Sequence, residues 1–94
     1  MANVTLKITL TMKDGANDAW MVIDNGPDAY ANGVAFQDVD DALPTHKYVI
    51  WVDGPPGSSC AFKIEQGKDS LLSDTVTVDP HQFHEVQHGK FDVE

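Results

Sequence analysis

The sequence predicts an all-β protein, an antiparallel two-sheet β-sandwich of immunoglobulin-like or jelly-roll-like type, with a small β-barrel as the alternative. Apolar and polar residues alternate in several segments, as they do on strands that bury one face. Clusters of Gly, Pro and Asp separate seven or eight such segments at spacings of about 8 to 14 residues. Parallel sheets need helical crossovers, for which a chain of 94 residues has little room. A chain of this length is expected to form one domain, over residues 1–94.

The first half of the chain contains the strictest alternation. A strand with one wet face is predicted there from five apolar residues that share one side: Val4, Leu6, Ile8, Leu10 and Met12. The short apolar run at residues 19–23 predicts a buried strand, which the turn formers at 24–28 end. A weaker strand is predicted over residues 30–37.

The middle of the chain combines an acidic segment with a strongly apolar one. Residues 37–46 contain three aspartates and a proline, and they predict a loop with at most one helical turn. Residues 47–52 are apolar on both faces, as in a strand at the centre of a sheet.

Two more strands and a hairpin are predicted in the last third. Cys60, Phe62 and Ile64 alternate with more polar residues up to a turn at 67–69. One side of the next strand is formed by Leu72, Val76 and Val78. His88-Gly89 between residues 85–87 and 90–92 has the layout of a two-residue β-hairpin.

The charge of the chain argues against several classes of partner. It has 15 acidic residues, six lysines, no arginine and a net charge of −9. A negative field repels phosphate groups, and arginine is the residue that binds them through two parallel hydrogen bonds. We therefore expect neither nucleic acids nor membranes among its partners.

The single cysteine, Cys60, allows no internal disulfide and no cysteine-based zinc site. Its alternation with apolar residues predicts a buried thiol that acts as a small hydrophobic group.

The N-terminal residues lack the pattern of a secretory signal, and no apolar run is long enough to cross a membrane as a helix. We expect a cytoplasmic protein, unless a signal has been removed.

Three neighbouring carboxylates, Asp38, Asp40 and Asp41, are the candidate calcium ligands. Calcium takes six to eight oxygen ligands, and a cation would relieve the repulsion within this run. Solvation by water relieves it too, so an acidic surface loop is the alternative. The sequence otherwise predicts no cofactor.

Three histidines, His81, His84 and His88, are candidate ligands of a transition metal. On a strand, residues four positions apart lie about 13 Å from each other, which is too far for one ion to bridge. Exposed polar histidines are the alternative interpretation.

The aromatic residues supply the candidate binding surfaces. Tyr48 and Trp51 fall on opposite faces of their strand, and whichever faces outward offers a platform for a sugar ring or a protein. A tryptophan on a central strand is more often part of the core, and this is the alternative for Trp51. Tyr30 and Trp51 are therefore the candidate ligand-binding residues. The candidate interface of the same strand is Tyr48, Ile50 and Val52.

These observations predict a non-catalytic interaction or assembly module that binds a protein partner or associates with itself. The sequence lacks a Gly-x-Ser-x-Gly turn and a phosphate-binding loop, so we expect no enzymatic activity. Two alternatives come from other classes: a calcium-dependent carbohydrate-binding module and a small histidine-based metal-binding protein.

Overall fold

A computed structural model describes residues 3–94, which form two antiparallel sheets of four strands. The sheet orders are β4-β1-β6-β7 and β3-β2-β5-β8. The predicted all-β sandwich is confirmed, and the two open sheets do not form a closed barrel. The strands are β1 (Asn3–Lys13), β2 (Asp18–Ile23), β3 (Ala29–Tyr30), β4 (Gly33–Asp40), β5 (Thr45–Asp53), β6 (Ser59–Gln66), β7 (Asp69–Thr77) and β8 (His84–Asp92).

The first sheet follows from the strict alternation on β1. Ile8 pairs with Ala35 on β4 and with Ile64 on β6, so β1 lies between two partners. The even-numbered side chains Leu6, Ile8 and Leu10 are fully buried between the sheets. The described part of the chain contains no helix long and apolar enough to cross a membrane.

Side chains from both sheets meet in one hydrophobic core. Phe62 on β6 and Tyr48 on β5 pack across it with ring centroids 5.4 Å apart. Burial of each large apolar side chain contributes roughly 1.5 to 3 kcal/mol, and the core is therefore the main source of stability. Its largest fully buried apolar members are Phe62, Leu6, Leu10, Met21, Ile23, Ile50, Ile64, Val52 and Val78.

The second sheet has β2 and β5 at its centre, as predicted for residues 47–52. The prediction that residues 19–23 are buried as a whole is wrong. Ala19, Met21 and Ile23 face the core, whereas Trp20 and Val22 face the other side of the sheet and are only partly buried.

The acidic segment at residues 37–46 is not the predicted loop. Strand β4 continues to Asp40, and β5 begins at Thr45, so only residues 41–44 connect them. Val39 is buried opposite Val4 and holds the strand in register, while Thr5 Oγ1 donates a hydrogen bond to Asp38 Oδ1 (2.5 Å). An edge strand tolerates outward carboxylates of this kind.

The hairpin predicted at His88-Gly89 is also wrong, because β8 runs straight through both residues and pairs with all of β5. Gly89 lies opposite Tyr48, and a Cβ atom at Gly89 would be 2.9 Å from Tyr48 Cε1 and Oη. The missing side chain makes room for the tyrosine ring and does not mark a turn. Gln87 Nε2 donates to Tyr48 Oη (3.2 Å) and helps to hold the ring there.

We expect Gly89→Ala to lower the free energy of unfolding by roughly 1 to 3 kcal/mol, because the new methyl group overpacks Tyr48. Urea unfolding checks this, with His88→Ala as the matched control on the exposed face, where the change should stay within about 0.5 kcal/mol. Equal stability of the two variants would contradict the packing of Tyr48 on Gly89.

Cys60 faces the core and is fully buried, as predicted. Burial raises the pKa of its thiol, and a backbone hydrogen bond from Thr11 offsets the effect only partly. The folded chain therefore keeps a proton on Cys60 at a pH where the unfolded chain releases it.

This difference makes stability depend on alkaline pH. A thiol pKa that is raised by folding contributes stability below its ordinary value of 9.0, and that stability is lost as the pH rises above it. Between about pH 7 and about pH 10, we expect wild type to lose more unfolding free energy than Cys60→Ala. Guanidinium unfolding at both pH values measures the two losses, and equal losses would show that Cys60 is not responsible.

Candidate functional site

A row of apolar side chains crosses the outer side of the β3-β2-β5-β8 sheet. The strand register places four residues directly beside one another, one on each strand: Tyr30, Trp20, Trp51 and Val86. In the next row Val22 lies beside Val49. We call these six residues the aromatic face.

The alternation of β5 determines which residues reach this surface. Tyr48, Ile50 and Val52 point into the core, so Val49 and Trp51 must point outward. The predicted interface of Tyr48, Ile50 and Val52 therefore lies in the interior, where it has no access to a partner. Trp51, which the sequence also left open as a core residue, belongs to the surface.

The two indole rings form a stacked pair at the middle of the aromatic face. Their centroids are 5.7 Å apart and their planes are inclined by 16°, an offset arrangement that aromatic pairs prefer. Each ring covers part of the other, and both are partly buried. At the two ends of the row Tyr30 is 60% exposed and Val86 is 41% exposed. The result is a continuous apolar ridge across the whole sheet.

Tyr30 has a polar group with a fixed direction. Its hydroxyl donates a hydrogen bond to Asp28 Oδ2 (2.9 Å). This bond, and next the negative charge of Asp28, raise the pKa of Tyr30, so the phenol remains a neutral donor well into alkaline pH.

Charged residues of opposite sign flank the aromatic face. On one side Lys47 lies directly beside Lys90, and both are exposed. On the other side Asp18 lies beside Asp53, which lies beside His84. Along β5 the outward side chains therefore change from basic Lys47, through apolar Val49 and Trp51, to acidic Asp53.

A groove of about 500 Å³ runs along the basic end of the aromatic face. Its apolar part consists of Trp51, Val49, Val22 and Leu43. Asn25 and Thr45 add an amide and a hydroxyl group at its rim. The groove therefore combines an apolar wall with groups that can form hydrogen bonds.

The candidate calcium ligands lie elsewhere. Asp38 and Asp40 are on β4, where they pair with residues of β1 on the outer side of the other sheet, and Asp41 follows in the turn. Asp38 accepts the bond from Thr5, and Asp40 Oδ1 accepts one from the backbone N–H of Ala42 (2.8 Å). The structure does not bring these carboxylates together with Tyr30 and Trp51.

The candidate metal-binding histidines are also separated. His81 lies in the turn before β8, whereas His84 and His88 lie on β8, four residues apart on the outer side. Among residues 3–94, no group of three or more His, Cys, Asp or Glu side chains is arranged to hold a metal ion. His84 and His88 instead border the aromatic face.

Sequence analysis missed the role of His46, which is only 1% exposed. Its Nδ1 is hydrogen-bonded to Asp24 Oδ2, and Asp24 Oδ1 accepts a bond from the backbone N–H of Lys47 (2.9 Å). The pair ties the turn after β2 to the start of β5 and so positions Lys47 beside the aromatic face. His46 alternates in step with Tyr48, Ile50 and Val52, the buried residues of β5. This spacing could have predicted from the sequence that His46 is buried.

Comparison of the chain with protein-family models, curated proteins and solved structures found no match. The aromatic face and its charged borders are therefore the features from which we infer a function.

Proposed function

We propose that the protein is a non-catalytic assembly module that associates with a second copy of itself through the aromatic face. The observation that carries the proposal is the unbroken row of Tyr30, Trp20, Trp51 and Val86 across one sheet. An apolar patch of this kind, with a charged rim, is typical of interaction surfaces. Tyrosine and tryptophan are also the residues that most often dominate binding energy.

The opposite outer surface supports this interpretation by contrast. There β1 presents Thr5, Lys7, Thr9 and Thr11, as expected of a sheet face that remains in water. Its exposed apolar side chains Val34 and Phe36 lie on β4, at the edge of that sheet. The asymmetry between the two outer surfaces favours the aromatic face as the binding surface.

The rigidity of the ridge also favours binding. Trp20 and Trp51 already stack on each other, so their side chains lose little conformational freedom when a partner covers them. These side chains lose their conformational entropy when the chain folds, before a partner binds.

We expect Trp51→Thr to weaken self-association at least tenfold, a change of about 1.4 kcal/mol or more, because it removes a central aromatic contact. Threonine suits an exposed strand position, so the sheet should remain intact. The matched control is Phe36→Thr, which removes a side chain that is 67% exposed on the other sheet. Sedimentation equilibrium over a wide concentration range measures the dissociation constant of each protein.

Two results would contradict the proposal. One is a wild-type chain that stays monomeric up to several hundred micromolar, well above the range expected for a small interface. The other is an equal loss of association in Trp51→Thr and Phe36→Thr.

A second candidate function is carbohydrate binding at the same surface, favoured by Tyr30 and the groove beside Trp51. The apolar C–H side of a sugar ring can lie on an aromatic ring, while its hydroxyl groups bond to Asn25 and Thr45 at the rim. Calcium at Asp38 and Asp40 would lie on the other sheet, so we expect any such binding to be independent of calcium.

A panel of soluble oligosaccharides tests this candidate through the melting temperature. A sugar that binds the folded chain must raise the melting temperature, and it must do so equally with calcium or with a chelator. Tyr30→Thr should remove the increase. If no sugar in the panel changes the melting temperature, carbohydrate binding is not the function.

A further inference from the structure

We infer that the second copy, whose binding rests on the proposed function, docks with its strands antiparallel, so that Lys47 of each copy faces Asp53 of the other. The two copies are then related by a two-fold axis that lies between the aromatic faces and runs across the strands. The axis passes between the row of Val49 and the row of Trp51.

The order of outward residues along β5 selects this arrangement. From one end to the other the order is Lys47, Val49, Trp51 and Asp53. Rotation about the axis reverses this order, so that a basic residue faces an acidic one and apolar faces apolar. Rotation about an axis parallel to the strands and above β5 would instead place Lys47 on Lys47 and Asp53 on Asp53, which is repulsive.

The charges at both ends are available for such contacts. Within residues 3–94, neither Lys47 nor Asp53 forms an ion pair in the monomer. Asp24 lies near Lys47, but its carboxylate is held by His46. Because the rotation keeps each strand over its own counterpart, Lys90 faces His84 and Asp18 faces Asp24, and the charge complementarity rests on the two contacts between Lys47 and Asp53.

The sizes of the apolar side chains are complementary as well. The rotation places the bulky row of Trp20 and Trp51 on the smaller row of Val22 and Val49. Facing sheets pack about 10 Å apart when large and small side chains interdigitate. The same operation therefore places Lys47 opposite Asp53 and large apolar side chains opposite small ones.

The area of the face sets the expected strength. The molecule measures 45 × 20 × 19 Å, and the sheet spans its 20 Å width. Four outward rows along the strands then offer roughly 500 Å² per copy, or about 1,000 Å² in the dimer. This is near the lower limit of specific interfaces, so we expect a dissociation constant in the micromolar range.

Charge reversal tests the arrangement. Lys47→Glu and Asp53→Lys should each weaken the homodimer about tenfold or more, because each creates two like-charge contacts. An equimolar mixture of the two variants should recover the wild-type affinity, since the heterodimer restores two opposite-charge contacts. The double variant Lys47→Glu/Asp53→Lys should recover it as well. Sedimentation equilibrium gives the dissociation constants, and urea unfolding shows that each variant is folded.

Lys7→Glu is the matched control for Lys47→Glu, because it makes the same change in net charge on the other sheet. If wild type associates and Trp51→Thr does not, but Lys47→Glu does not differ from Lys7→Glu, the antiparallel arrangement is wrong and the proposed function stands. If the equimolar mixture does not recover the wild-type affinity, the antiparallel arrangement is likewise wrong and the proposed function stands. A wild-type chain that never associates overturns both.

Discussion

A sheet in a two-layer sandwich has only one side in the interior, yet strands β2 and β5 are apolar on both sides. One set of side chains, including Ile50 and Met21, fills the core and holds the two sheets together. The other set, centred on Trp20 and Trp51, is left on the outside of the same sheet. The stability of the fold and the exposure of the aromatic face therefore have a common origin in these two strands.

The rest of the second sheet is arranged around that constraint. Gly89 leaves space for Tyr48, which allows β8 to pair along the whole length of β5. At the other side, the contact of buried His46 with Asp24 ties the turn after β2 to the start of β5. Both contacts lie beneath the aromatic face, and they help to keep the central strands in register beneath Trp51. The aromatic face is thus supported by packing that it does not itself provide.

The two-sheet architecture was predictable because alternation and turn residues are local signals, whereas the orientation of a strand with two apolar faces was not. The outward parity of Trp51 could have been found from Lys47 and Asp53, which share it and must reach water. The role of Gly89 could not have been found in this way. Glycine beside histidine suits a turn as well as a strand, and only the position of the Tyr48 ring in space decides between them.

The most direct test of this account uses the intrinsic fluorescence of the protein, because both of its tryptophans lie on the aromatic face. We predict that raising the concentration from about one to several hundred micromolar, across the range expected for this interface, shifts the emission to shorter wavelength. Quenching by acrylamide should weaken in parallel as a second copy covers the indoles. Emission and quenching that stay constant over that range would show that the aromatic face remains in water and would contradict the account.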